Sequence, residues 1–191
     1  MPVYLVLDCS ATMSGEAVSS METGVQALLS DLSSDPMALE SVWMSVITFG
    51  DTAKQRVPLT DITVFRAPRL EASGQSALGS AFRLLKQRVE KEVQKTTDST
   101  KGDWKPMVFV ITDGIITDDW QPAVDEFRRL GMATVVACGA GPHADNQTLR
   151  RIGDKVVRLS NTQPGTLGAF LKWVTVSVTS SSRSLGAAVD A

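Results

Sequence analysis

Three short stretches of this chain carry residue types that can hold a hard cation. Asp8-Cys9-Ser10-Ala11-Thr12 follows a short apolar run, Ser73-Gly74-Gln75-Ser76 precedes a helical pattern, and Thr112-Asp113-Gly114 ends the most apolar run in the chain. Together they offer two carboxylates, Asp8 and Asp113, and the hydroxyls of Ser10, Thr12 and Ser76. Oxygen donors of this kind suit magnesium, manganese or calcium rather than zinc or copper. A carboxylate directly after a buried strand costs free energy unless it is paired or bound to metal. Asp8 and Asp113 therefore stand apart from ordinary surface acids. Ser76 also has a plainer reading as a helix N-cap. Ser10 and Thr12 have one as turn residues whose hydroxyls bond local backbone.

Catalytic patterns are weaker. The one histidine, His143, lies in a Gly-Pro turn without a nucleophile or carboxylate partner in the sequence pattern. Gly74 to Gly79 has one residue too many for a G-x-S-x-G elbow, and no G-x-x-x-x-G-K-[ST] loop is present. Gly139 to Ala144 fits G-x-G-x-x-A only formally, because it comes late and contains Pro142. The nearest enzyme is a magnesium-dependent phosphohydrolase with Asp8 as nucleophile. Such enzymes usually carry a second aspartate two positions on as general acid, and here Ser10 stands there. No catalytic residue is expected.

The elements that must position these residues alternate. Val3–Leu7, Trp43–Phe49, Met107–Ile111, Ala133–Cys138 and residues 155–159 read as buried strands. Ala53–Pro58 is a polar alternating stretch only a short turn after the second strand, which predicts an antiparallel edge strand that tolerates Pro58. Val18 to Leu32, Leu78 to Val93, Trp120 to Leu130, residues 146–152 and Leu167 to Val178 show helical spacing. Asp35-Pro36 closes the first of these helices, and Thr117, Asp118 and Asp119 read as the start of the helix after them, where acids favour the dipole, with a role in shaping the rim of the cation site as the alternative. The class is α/β: three layers, doubly wound, with a mostly parallel six-stranded sheet and one antiparallel edge strand. In such sheets ligands collect at the carboxyl ends of the strands, where Asp8 and Asp113 fall.

Composition sets bounds. Nineteen Lys and Arg against 21 Asp and Glu give a net charge of −2, which argues against a nucleic-acid partner. The 43% hydrophobic content is too high for disorder and ample for a core at 191 residues. No run approaches the ~20 apolar residues of a membrane span, and no membrane partner is expected. Two cysteines, Cys9 and Cys138, far apart and outside any C-x-x-C spacing, read as buried thiols. With no signal-like segment, a cytoplasmic location is expected.

D-x-S-x-S/T, a distant hydroxyl before a helix, then T-D-G after a strand resembles the metal-ion-dependent adhesion site (MIDAS) of von Willebrand factor type A domains. On that resemblance Asp8, Ser10 and Thr12 match the first motif, Ser76 the middle threonine position and Asp113 the last aspartate. Thr12 stands where serine is usual and Ser76 where threonine is usual; both keep the hydroxyl. The resemblance covers about residues 3–178 and implies a vWA/Rossmann-like domain over residues 1–180; the small, polar-leaning stretch after it reads as a flexible tail over 181–191 or the start of a linker. It implies Mg²⁺ or Mn²⁺, with Ca²⁺ less favoured. The hydroxyls matching Ser10 and Thr12 would bind the ion directly, Ser76 directly or through water, and the aspartates mostly through water. A partner protein's Asp or Glu would take the open position. Ile47-Thr48-Phe49-Gly50-Asp51, Val57-Pro58-Leu59-Thr60, Lys101-Gly102-Asp103-Trp104-Lys105-Pro106 and Thr117-Asp118-Asp119-Trp120 further resemble the TerY-like tellurium-resistance group. Its members resemble scaffolds in stress resistance beside a kinase and a phosphatase. Many type A domains are extracellular, so a surface adhesion domain is the remaining alternative.

Overall fold

Alternate residues of each apolar run face opposite ways, so a strand that is apolar throughout needs cover on both sides. The computed structural model, which describes residues 1–189, supplies that cover. Six strands, β1 (Pro2–Asp8), β2 (Trp43–Phe49), β3 (Ala53–Asp61), β4 (Met107–Thr112), β5 (Thr134–Ala140) and β6 (Lys155–Leu159), form one sheet in the order β3-β2-β1-β4-β5-β6. All neighbours are parallel except β2 and β3, which are antiparallel, with β3 at the edge. Pro58 lies on this edge strand, where a missing N–H is tolerated.

The helices are α1 (Glu16–Ser33), α2 (Pro36–Ser41), α3 (Leu78–Glu92), α4 (Gln121–Arg129), α5 (Asn146–Ile152) and α6 (Pro164–Val189). Leu5 and Leu7 of β1 pack with Met21 and Val25 of α1 and Leu171 and Val174 of α6 in one core. Tyr4 and Val6 of the same strand pack with Phe82 of α3, Phe127 of α4 and Leu149 of α5 in the other. The sheet is thus the middle of three layers. Cys9 and Cys138 are both buried free thiols. Among the described residues no helix is long and apolar enough to cross a membrane.

Three details differ from the sequence expectation, and the plainer reading of Ser76 falls away. Asp35 does more than end α1: its carboxylate accepts the N–H groups of Met37 (3.0 Å) and Ala38 (3.1 Å) and caps the short helix α2. The segment from 181, expected as a tail, continues as helix through Val189; residues 190–191 lie outside the described residues. The reason is tertiary. Ser182 is buried and donates to the Met37 carbonyl (3.0 Å), and Arg183 pairs with Asp35 at 2.6 Å, so α2 anchors the end of α6. Asp118 does not start α4, whose first turn holds no acid. It accepts the N–H groups of Gly79 and Ser80, each at 3.1 Å, and caps α3 from another loop. Ser76 is correspondingly not the cap of α3, whose N-cap position is Ala77.

Two consequences are measurable. Asp118→Ala removes the α3 cap and should lower stability by about 1 kcal/mol, read as a fall in the thermal midpoint. Gly24 sits where α1 meets α6, and any side chain there runs into Leu171. Gly24→Leu should therefore overpack the helix pair and cost about 1–3 kcal/mol, whereas Gly24→Ala should cost less; denaturant titration of both separates the effects.

Candidate metal centre

Chain direction makes the crevice. From β1 the chain runs to β2 on one side and later returns to β4 on the other. The connections diverge at the carboxyl ends of β1 and β4, which opens a space there. Asp8 is the last residue of β1, and Thr112 and Asp113 end and follow β4, so both acids reach this edge.

The Asp8 side chain forms the floor. The residue is fully buried, and both its carboxylate oxygens are engaged. One accepts the Ser10 N–H at 3.0 Å. The other accepts the hydroxyls of Ser76 at 2.9 Å and Thr112 at 2.8 Å. Burial pushes the Asp8 pKa up, and the bonds from Ser10, Thr112 and Ser76 pull against that shift. Burial also pushes the neighbouring Cys9 thiol up to about 12, so it stays protonated at neutral pH.

The rim is made by a 3₁₀ turn, Ala11–Met13, that directly follows β1. It brings the Ser10 and Thr12 hydroxyls to 2.9 Å from each other. Ser10 is buried and Thr12 exposed, so the pair spans the boundary between interior and solvent. Asp113 is mostly buried; one carboxylate oxygen accepts the Ile115 N–H at 3.0 Å, and the second takes no hydrogen bond among the described residues. Gly114 has φ +83°, and a Cβ there would lie 2.6 Å from the Ala144 Cα, so the glycine of Thr-Asp-Gly is required by both conformation and space.

Ser76 arrives by a different route. It closes the long connection from β3 to α3, which is tied to the β1 end through Ser73 N–H to Cys9 O (2.8 Å) and Ala11 N–H to Gly74 O (2.9 Å). Its own N–H donates to the Thr117 hydroxyl (3.0 Å), and its carbonyl accepts the Thr117 N–H (3.0 Å). Thus Asp8, Ser10, Thr12 and Ser76 form one hydrogen-bonded group, and Asp113 follows Thr112, which bonds to Asp8. Sequence reasoning missed the bond from Thr112 to Asp8, and of Thr117 it offered a rim-shaping role only as an alternative, without its bonds to Ser76. The Thr-Asp-Gly pattern contained the first, and a hydroxyl at the start of the 117–120 segment was the only signal for the second.

Among the described residues no three His, Cys, Asp or Glu side chains cluster as a metal site. Any cation here would therefore depend on hydroxyls as well as the two aspartates. A larger cavity of about 700 Å³ lies between α1 and α6 but contains none of these five residues.

The von Willebrand factor type A domain family model matches residues 3–164. A comparison with curated proteins found no match. Among solved structures, proximal thread matrix protein 1 of the mussel byssus is similar at 19% identity, over 91% of this chain and 46% of its own, with a TM-score of 0.67. A further structure of that mussel protein, with zinc occupying its MIDAS motif, is 17% identical over 95% of this chain and 45% of its own, with a TM-score of 0.65. The pilus adhesin SpaC of Lactobacillus rhamnosus GG, in an open conformation, is 14% identical over 94% of this chain and 30% of its own, with a TM-score of 0.72. This chain spans less than half the length of these proteins, and at such identities the likeness is one of fold. The match of the family model over most of the chain settles the assignment: the chain belongs to the von Willebrand factor type A domain family.

Proposed function

We propose that this chain is a non-enzymatic, metal-dependent protein-interaction module in which Asp8, Ser10, Thr12, Ser76 and Asp113 hold Mg²⁺ or Mn²⁺, with Ca²⁺ less favoured. The carrying observation is the 2.9 Å separation of the Ser10 and Thr12 hydroxyls above the Asp8 carboxylate. Two oxygens held side by side at the ~2.0–2.1 Å of a magnesium octahedron stand about 2.9 Å apart, so the pair has the spacing of adjacent ligands. Ser76 gives its proton to Asp8 and keeps lone pairs for a cation. Asp113 offers its second oxygen. When bound, the ion supplies an electrophilic position for a carboxylate oxygen, because hydroxyls leave most of its charge uncompensated.

The partner supplies that carboxylate from an Asp or Glu. The finer reading is that this is a cytoplasmic scaffold of the TerY-like type, acting in tellurite and stress resistance with a kinase or phosphatase of the same operon. Its support is the resemblance of the four segments named above. Two of them border the centre: Gly50 accepts the Ala77 N–H at 2.9 Å, and Thr117 holds Ser76. The competing phosphohydrolase needs a free Asp8 oxygen for attack, whereas both are hydrogen-bonded and enclosed.

Calorimetry with Mg²⁺ and Mn²⁺ should give saturable one-site binding that Asp113→Ala removes; unchanged binding in that variant overturns the ligand set. In thermal melts, ion at about 100 times its Kd should add about 2.7 kcal/mol, which is roughly 5–10 °C for a chain of this size, and nothing to Asp113→Ala. With a generic aryl phosphate and Mg²⁺, no phosphate release is expected; release that disappears in Asp8→Asn would establish the enzyme instead.

A further inference from the structure

Beside the Asp8 crevice lies a second polar cleft, of about 220 Å³, that the five-residue centre does not use. It opens at the carboxyl end of β2, between β3 and the connection leading to Ser76. Cys9 is in its wall, one residue before Ser10, and so is Ser73, whose N–H bonds to the Cys9 carbonyl. The two sites therefore share a wall.

Lys54 and Arg56 line this cleft from β3. Two apart on one strand, they lie on the same face. Both are exposed, and neither forms an ion pair among the described residues. Two acids also line the cleft. Asp51 accepts the Gln75 N–H of the loop at 2.8 Å, and among the described residues Glu71 forms no ion pair with either cation. The fold does not use the two cations either: β3 is held from its other positions, with Ala53 and Val57 packed against the cores and Gln55 donating to Glu92 at 2.9 Å. Exposed cations on an edge strand can simply discourage strand pairing. That role gives no preference between anionic ligands.

We infer that Lys54 and Arg56 form an anion subsite beside the metal centre, and that the partner is an acidic protein segment carrying two carboxylates, one for each site. The inference rests on the metal-dependent reading of the centre and specifies its partner. Once the first carboxylate is engaged, the second binds from within the same segment, so even a modest ion pair adds to affinity and sets the direction of the segment.

The test uses the full chain, fluorescence polarisation with and without Mn²⁺, and fluorescein-labelled Gly/Ser peptides. One peptide carries a single Glu; a set carries a second Glu one to four residues further on. At low salt the best two-acid peptide should bind about two- to fivefold tighter than the one-acid peptide, and salt should erode the difference. The double variant Lys54→Gln/Arg56→Gln, at two exposed positions, should lose that difference while keeping one-acid affinity and Mn²⁺ affinity. Equal binding of all peptides, or a two-acid preference that survives in the double variant, overturns the subsite and leaves the metal reading standing. A preference that needs Lys54 and Arg56 but persists without Mn²⁺ and in Asp113→Ala leaves an anion site at these two cations and overturns both the metal reading and the partner with one carboxylate for each site. No binding of any peptide overturns both.

Discussion

A carboxylate buried at the end of the central strand is the constraint around which this molecule is arranged. An ionised group in that position costs several kcal/mol unless donors surround it. Asp8 obtains three, and they come from three separate parts of the chain: the backbone at Ser10, the hydroxyl of Ser76, and the hydroxyl of Thr112. The last requires β4 to lie beside β1, where Leu7 is opposite Ile111 and the Thr112 hydroxyl reaches the Asp8 carboxylate at 2.8 Å. Each bond thus offsets the burial of one charge and also holds one edge of the site.

The same economy extends outward. Thr117 bonds to Ser76 in both directions, while Asp118 caps α3. One loop therefore positions both the middle hydroxyl and the helix that follows it. On the opposite side, the connection carrying Ser73 and Gly74 is held to Cys9 and Ala11. The crevice and the Lys54–Arg56 cleft are separated by that connection and share its supports. Buried polar side chains gather at this edge, with Asp8, Ser10, Ser76, Thr112 and Asp113 among them, while Ser20, Ser45, Thr175 and Ser182 are buried elsewhere.

The layers were legible in the sequence because burial leaves a periodic trace. Strands apolar at every position, such as Val3–Leu7 and Val108–Ile111, can only be covered on both faces. A polar alternating stretch one short turn after β2 can only fold back beside it. The short helix α2 was not legible, since Asp35-Pro36 ends one helix and starts another with the same residues. Nor was the extension of α6 through Ser182, whose small polar residues have weak helical preference and are held by contacts with Met37 and Asp35, about 145 residues away in the chain.

Residue types and their order were enough to place Asp8, Ser10, Thr12 and Asp113 at one edge of the sheet, because a buried apolar run delivers the polar residues at its end to the carboxyl edge. Those four placements and the three-layer class are in that sense properties of the sequence. Only the tertiary structure decided how the donors divide their work. It put Ser76 on Asp8 rather than at the head of α3, gave the capping of that helix to Asp118, recruited Thr112 and Thr117, and set Lys54 and Arg56 beside the crevice. These are contacts between segments tens of residues apart. Local pattern constrains a residue's own element and face, whereas the identity of a distant partner is settled only when parallel pairing and the crossing loops bring the segments together.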